Sequence, residues 1–417
     1  MKQNEPAHSL NSARLLPGGV PSVLSLRDER DERYITRGKG GHCWDQFDTM
    51  YIDFICGYGP VILGHSHAEV NAAVIEQLAK GMLFPSNSPL HDELNAKLKQ
   101  LFPYSHGTLF LKTGSEAVAT AIRLARAFTG KMKIVRCGFH GWHDALISPF
   151  ISWHLYEPDL RPPRLIAGIP PSFSQELLAW DGEDFQQLID LCNASRSQVA
   201  AVIVDPIQIR EPLEENLKQL RSWTREQGIL LILDEIKTGF RVSPGGVQQL
   251  YGVQADLTIL SKAIANGFPL SVVLGREEIF SLASSLRIMG TYNNELLSIA
   301  AALKTIAILE QPGVVDWLWE AGRQLIAGFN EVLARKQLLD DICSKPYRWP
   351  CLPALWYKQH STLAQRLMPV LHRELIHHGI LLLANHPNYI CLEHTRADIE
   401  EAVQLFEDSV NKSLKQL

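Results

Sequence analysis

Two acids and a lysine, each placed directly after an apolar run, set the chemistry this chain can do. Asp234 and Glu235 follow Ile229-Leu230-Leu231-Ile232-Leu233, and Ser261-Lys262 follows Leu257 to Leu260. An unbroken apolar run of strand length fits a strand buried on both faces, and a parallel α/β sheet presents its ligand-binding side chains at the carboxyl ends of such strands. Gly267 and Pro269 force a turn soon after the lysine. A carboxylate and an amine at two strand ends suit pyridoxal 5'-phosphate (PLP). The lysine would hold its aldehyde as a Schiff base, and the acid would keep its pyridine nitrogen protonated so that the ring withdraws electrons. Taken singly, each residue also fits a plainer role, Asp234 starting a loop or capping a helix and Lys262 lying on the surface.

Together, Leu233 to Arg241 (LDEIKTGFR) and Leu260 to Leu270 (LSKAIANGFPL) resemble the class III aminotransferases, a branch of the fold type I PLP enzymes. Within that branch the chain is most similar to glutamate-1-semialdehyde 2,1-aminomutase-like proteins, over nearly its whole length and with several motifs in the same order. The resemblance implies an α/β fold whose large domain carries a mainly parallel, seven-stranded sheet, with smaller N- and C-terminal α+β units. Residues 1–60 would form the N-terminal segment of the small domain, 61–300 the PLP-binding domain and 301–417 the C-terminal small domain.

The elements around the two strands supply the rest of the expected site. Leu109 to Arg126 reads as a short strand running into Thr113-Gly114-Ser115, then a helix with Ala117, Ala121, Ile122 and Ala125 on packing positions. A glycine and a hydroxyl at a helix start either cap the helix or bind an anion, because first-turn N–H groups and the positive dipole end point outward there. The resemblance implies that Gly114 and Ser115 hold the PLP phosphate. The strand Lys133 to Arg136 ends in Cys137-Gly138-Phe139-His140-Gly141-Trp142-His143-Asp144, where relatives carry Tyr-His-Gly. Phe139 is thus expected to stack on the pyridine, with His140 close by and Ile236 packing on the opposite face. Val199 to Val204 leads to Asp205-Pro206-Ile207-Gln208-Ile209-Arg210. Relatives have Glu-Pro-Val and a small Gly-Asn pair there, so Asp205 keeps a carboxylate near the cofactor while Gln208 and Arg210 depart. Arg210 either meets an acidic substrate or closes a structural ion pair. Thr291, in Gly290-Thr291-Tyr292-Asn293-Asn294 before the helix Leu296 to Leu309, either caps that helix or, as the resemblance implies, reaches the phosphate of a partner's PLP. The latter makes the protein a two-fold homodimer with its active site at the interface.

Expected pocket residues are Tyr58 in GYGPVILGH, Trp142, Trp153, Arg210, and His386 in ANHPNYICLEHT, near the place of a pocket glutamate in the aminomutase. Tyr58 equally fits plain core packing. The Pro- and aromatic-rich stretch 145–182 is too long for a simple connection and is expected to cover the entrance. The arginine that receives the aminomutase substrate's carboxylate falls here on Ser25, with Arg27 two residues on, opening the run RDERDER. These departures imply a substrate other than the small semialdehyde, such as a larger amino or keto compound.

Composition narrows the alternatives. The chain has 417 residues, 46% of them hydrophobic, and a formal charge of −5, which gives no reason to expect a nucleic acid or an anionic membrane as partner. Seven scattered cysteines, an odd number with no close pair, read as reduced thiols of a cytoplasmic protein. The start shows no export signal, and no apolar run reaches spanning length. His140 and His143 lack an evident third ligand, so no metal is expected. A glycine-rich dinucleotide fingerprint is missing as well. Residues 1–60 read as short strands separated by turns at Gly38 to Gly41 and Asp45 to Thr49. Beyond Val314, helices Trp317 to Ala334, Thr362 to His378 and Arg396 to Leu414 are expected with short strands Ile380 to Leu383 and Tyr389 to Leu392. Cys343 to Gln359, with three prolines, shows no evident glycine-rich strand. The expected reaction is transamination between a small-molecule amine donor and a carbonyl acceptor, in which Lys262 leaves the cofactor and then shuttles a proton. The alternatives are an aminomutase that moves nitrogen within one molecule and a PLP-fold protein without catalysis.

Overall fold

The computed structural model describes residues 33–144, 146, 168–195, 197–209 and 211–417. Its centre is a seven-stranded sheet in the order Gly107–Leu111, Ser271–Gly275, Leu257–Leu260, Leu230–Asp234, Val199–Val204, Lys133–Cys137, Leu177–Ala179. Every neighbour pair is parallel except those made by Ser271–Gly275, which runs antiparallel to both its neighbours. Every residue of Val199–Val204, Leu230–Asp234 and Leu257–Leu260 is buried, as strands covered on both faces require. The period of two divides them between two cores. Leu231, Leu233, Val202 and Val204 face one, and Leu230, Ile232, Ala201 and Ile203 face the other, so each strand holds two layers of helices.

The helix Gly114–Thr129 covers the second face with Ala117, Val118, Ala121, Leu124 and Ala125. Thr113 starts it through a capping box with Glu116, and Gly130 ends it in the left-handed region at φ +67°. The helical spacing of Val70, Val74 and Leu78 and of Leu94, Leu98 and Leu101 predicts two amphipathic helices, which are present as Ala68–Lys80 and Pro89–Leu101. Leu78 departs from the buried stripe of Val70 and Val74 and is 54% exposed.

The strands Ile35–Lys39, His42–Asp45 and Met50–Asp53 form an antiparallel unit, joined by Ile380–Leu381 parallel to Met50–Asp53. Residues 35–53 thus share one sheet with residues 380–381. Two expectations beyond Val314 are corrected. Cys343 to Gln359 lies largely in a hairpin, Ile342–Tyr347 with Trp349–Tyr357, whose apolar side chains pack on the helix Val314–Arg335 in spite of the prolines. Tyr389 to Leu392 forms no strand; its amides bond to single carbonyls of other segments, Tyr389 N–H to Phe54 and Leu392 N–H to Ile62. Among the described residues no single helix is long and apolar enough to cross a membrane.

Candidate active site

Asp234 is the last residue of its strand, paired with Ile259 of the neighbouring strand, and Lys262 lies three residues beyond that pairing. Both side chains therefore emerge at the same edge of the sheet. Lys262 sits at φ +46°, a left-handed backbone that costs a non-glycine residue energy and is retained where function fixes the geometry. The turn after it is held by Asn266, whose side chain accepts from Leu63 N–H at 2.8 Å and donates to Gly64 O at 3.0 Å. Lys262 Nζ donates to Tyr58 O at 2.8 Å. Burial, with added repulsion from Lys237 and Arg241, pushes the amine down from the usual lysine range to about 7, against a weaker pull from Asp205 and Asp234.

Asp234 is buried and engaged on both oxygens. Oδ2 accepts from His140 Nδ1 at 2.7 Å, and Oδ1 from Ile236 N–H at 3.1 Å. His140 Nε2 lies 3.1 Å from Cys137 O, so the ring is held between two acceptors and orients the carboxylate. Ile236 Cδ1 would stand 2.8 Å from a Cβ added at Gly114. The glycine is what lets the helix start approach this side chain. Ser115 Oγ accepts from Trp142 N–H at 3.3 Å, and the first-turn amides of the helix have no carbonyl of the helix to bond.

The site also contains residues the sequence reading did not assign. Asp205 Oδ2 accepts from Lys237 Nζ at 2.5 Å, and both are buried. Asp205 therefore enters as half of an ion pair and not as a free carboxylate. Lys237 Nζ lies 5.9 Å from the centre of the Phe139 ring. Arg241 is fully buried, reaching Gly59 O and Ile390 O and lying 4.9 Å from the Tyr389 ring. Tyr389 itself stands 5.7 Å from Lys262 Nζ. Both cations belong to the quoted LDEIKTGFR motif; what one sequence could not show is that they turn inward beside the lysine.

Of the expected pocket residues, Tyr58 and His386 meet, ring centres 6.3 Å apart and edge to face. His386 is pushed down to about 4, chiefly by burial and also by Lys262 and Lys237, so it is neutral at pH 7. Its Nδ1 donates to Pro387 O at 2.7 Å, which leaves Nε2 as an acceptor. Trp142 is 67% exposed, and Thr291 lies in an exposed turn. Trp153, Arg210, Ser25 and Arg27 lie outside the described residues. The sequence showed no close cysteine pair, yet Cys56, Cys391 and His394 bring their ligand atoms within 4.8 Å of one another, all buried. Residues 335 positions apart cannot be paired by spacing. His394 Nδ1 accepts from Cys391 N–H at 3.0 Å, so that nitrogen's lone pair is already used.

The donor set fits PLP: a buried acid at one strand end, a low-affinity lysine at the next, an apolar side chain over a glycine-opened helix N-terminus, and an aromatic ring near the Lys237–Asp205 ion pair. Comparison with known proteins agrees. Residues 26–392 match the family profile Aminotransferase class-III. The 3-aminobutyryl-CoA aminotransferase of Cloacimonas acidaminovorans is 32% identical, over 97% of this chain and 96% of its own length. Glutamate-1-semialdehyde 2,1-aminomutase of Archaeoglobus fulgidus is 31% identical over 97% of this chain and 98% of its own. Among solved structures, an omega-transaminase from Sphaerobacter thermophilus superposes with a TM-score of 0.86 at 26% identity, covering 97% of this chain and 96% of that one. A burial-tuned lysine beside a clamped aspartate, on a seven-stranded sheet shared with these transaminases, leaves one assignment: the chain belongs to the class III aminotransferases and is a PLP-dependent enzyme of fold type I.

Proposed function

We propose that this enzyme transfers an amino group from an amine donor to a carbonyl acceptor through Lys262, with Asp234 as the partner of the PLP ring nitrogen. The observation that carries this reading is the pairing at adjacent strand ends of a buried carboxylate, fixed by His140 at 2.7 Å, with an amine lowered to about 7. Bound PLP supplies the electron sink that makes the C–H bond beside a donor's nitrogen acidic. Lys262, neutral for a large part of the time near pH 7, accepts and returns that proton. Gly114 and Ser115 would hold the phosphate with their first-turn amides, and Phe139 and Ile236 would cover the two ring faces. Asp205 acts by holding Lys237, and Tyr58 and His386 line the substrate side. Borohydride reduction and peptide mapping test the lysine: a pyridoxyl group on Lys237 in place of Lys262 would refute the assignment.

The substrate in this reading is not glutamate-1-semialdehyde. At the place of the aminomutase's pocket glutamate stands His386, kept neutral, and a neutral acceptor does not do the work of an anion. A relative named 3-aminobutyryl-CoA aminotransferase, aligned over nearly the whole chain, supports a larger amino compound. A donor screen that measures released keto product separates transamination from internal nitrogen transfer. Efficient 5-aminolevulinate formation from the semialdehyde would overturn the substrate reading.

The proposed assembly is a homodimer in which Thr291 reaches the partner's phosphate site. Met289 and Tyr292 flank Thr291 and are exposed, as are Leu78, Met82, Leu83 and Phe84. Leu296 N–H bonds Met82 O at 2.9 Å, which ties the segment after the Thr291 turn to the one that carries these residues, and self-association covers exposed apolar side chains of this kind. The division into 1–60, 61–300 and 301–417 is supported by the sheet that residues 35–53 share with Ile380–Leu381. A cytoplasmic location is supported by seven free cysteines.

A further inference from the structure

Tyr389, beside Lys262, has no part in the reaction as described. It is 1% exposed and held from several sides. Its N–H bonds Phe54 O at 2.7 Å, and Arg241 lies 4.9 Å from its ring. A Cβ on Gly59 (φ +103°) would stand 2.6 Å from the ring edge, so the glycine lets the turn that carries the Tyr58 carbonyl close on the ring. Yet Tyr389 Oη has no hydrogen-bond partner among the described residues. A buried hydroxyl without a partner is costly, and native structures retain one where function uses it.

Lys262 shows the complementary lack. A neutral amine has N–H donors and one lone pair, and Nζ donates to Tyr58 O while no described group donates to it. The ring that bears the spare donor is centred 5.7 Å away, within the swing of a side chain with four rotatable bonds. We propose that Tyr389 is a positioning residue for Lys262. When the amine is free of the cofactor, Tyr389 Oη donates a hydrogen bond to its lone pair, and when the amine carries a proton the ring face holds it. The hydroxyl keeps its own proton throughout, because burial raises its ionisation well above the usual tyrosine range. This inference rests on Lys262 being the cofactor lysine.

Tyr389→Phe removes only the hydroxyl and tests the proposal in the full-length protein. The amino-donor half-reaction should slow roughly three- to tenfold, the worth of one hydrogen bond made as the proton moves, with little change in KM. Losing a donor to the neutral amine favours its protonated form, so the pH at which cofactor-free protein captures PLP should shift upward. With PLP bound through Lys262, Tyr389→Phe should melt no lower than the parent, since in that state the buried hydroxyl has no amine lone pair to donate to. A parental rate and parental pH profile would overturn the role, and so would a lowered melting temperature, which would show that the hydroxyl serves the fold. Borohydride mapping on the same samples separates the failures. A label away from Lys262 refutes the functional reading, whereas a label on Lys262 with an unchanged rate refutes the role of Tyr389 alone.

Discussion

The low proton affinity of Lys262 is set by burial first and by charged neighbours second. Burial lowers its proton affinity most, and Lys237 and Arg241 add to this. A base whose folded-state value is depressed is charged in the unfolded chain and neutral in the folded one across the interval between the two values. Here the cofactor-free chain should therefore gain stability as pH rises from about 7 to 10.5. Capture of PLP needs the neutral amine, so its rate should rise through pH 7 and level off above it. Lys237→Met removes a repelling charge and leaves the Asp205 carboxylate unpaired, and both effects favour the protonated amine. The midpoint of capture, followed by absorbance against pH, should move upward, and less so in Lys237→Met combined with Asp205→Asn. For Asp234→Asn the loss should fall on proton abstraction, by about a hundredfold or more, on the scale of removing one preorganised electrostatic partner. PLP binding, held by phosphate and ring contacts, should weaken far less. Stopped-flow half-reactions compared with equilibrium dialysis would show the split.

At the scale of elements, the site is an edge of the sheet met by the start of a helix. The strands Leu230–Asp234 and Leu257–Leu260 run parallel, so their chemistry-bearing ends coincide, and Gly114–Thr129 points its N-terminus at the same edge. Gly114 fits closely against Ile236, where an added Cβ would stand 2.8 Å from Cδ1. Gly114→Ala should displace Ile236 and weaken PLP retention by about tenfold, or ~1.4 kcal/mol. Dialysis of Gly114→Ala combined with Ile236→Ala checks the cause: a double variant that retains PLP less well than Ile236→Ala alone would place the effect elsewhere.

At the scale of the whole molecule, the side with exposed Leu78, Met82, Leu83 and Phe84 is tied to the segment after the Thr291 turn by the hydrogen bond from Leu296 N–H to Met82 O. If this side joins two copies, Phe84→Glu should give monomers in sedimentation that release PLP, and Thr291→Ala should stay dimeric while holding PLP less tightly. A monomeric parent that retains its cofactor would refute both. The motif order and the paired acid and lysine were legible because strand burial imposes long apolar runs and ligand-binding residues follow them directly. The strands Val199–Val204 and Leu257–Leu260 and the helices Leu296–Leu309 and Arg396–Leu414 have the bounds that their patterns predict.

Local pattern, with a period of two or 3.6 and turn residues at the breaks, was enough to locate Asp234, Lys262, Gly114 and Ser115 within a parallel α/β sheet, since each follows its own strand or opens its own helix. Contacts between distant segments were a matter for the tertiary structure. The hairpin of Ile342–Tyr347 with Trp349–Tyr357 forms because apolar packing on a helix outweighs its prolines, and Tyr389 reaches Lys262 across 127 residues without lying in any strand. The clamp of His140 on Asp234, the Lys237–Asp205 pair and the depressed lysine all depend on which charges share one buried space. Electrostatic energies in such a space depend on distance and burial, which are properties of the fold and have no periodic signature along the chain.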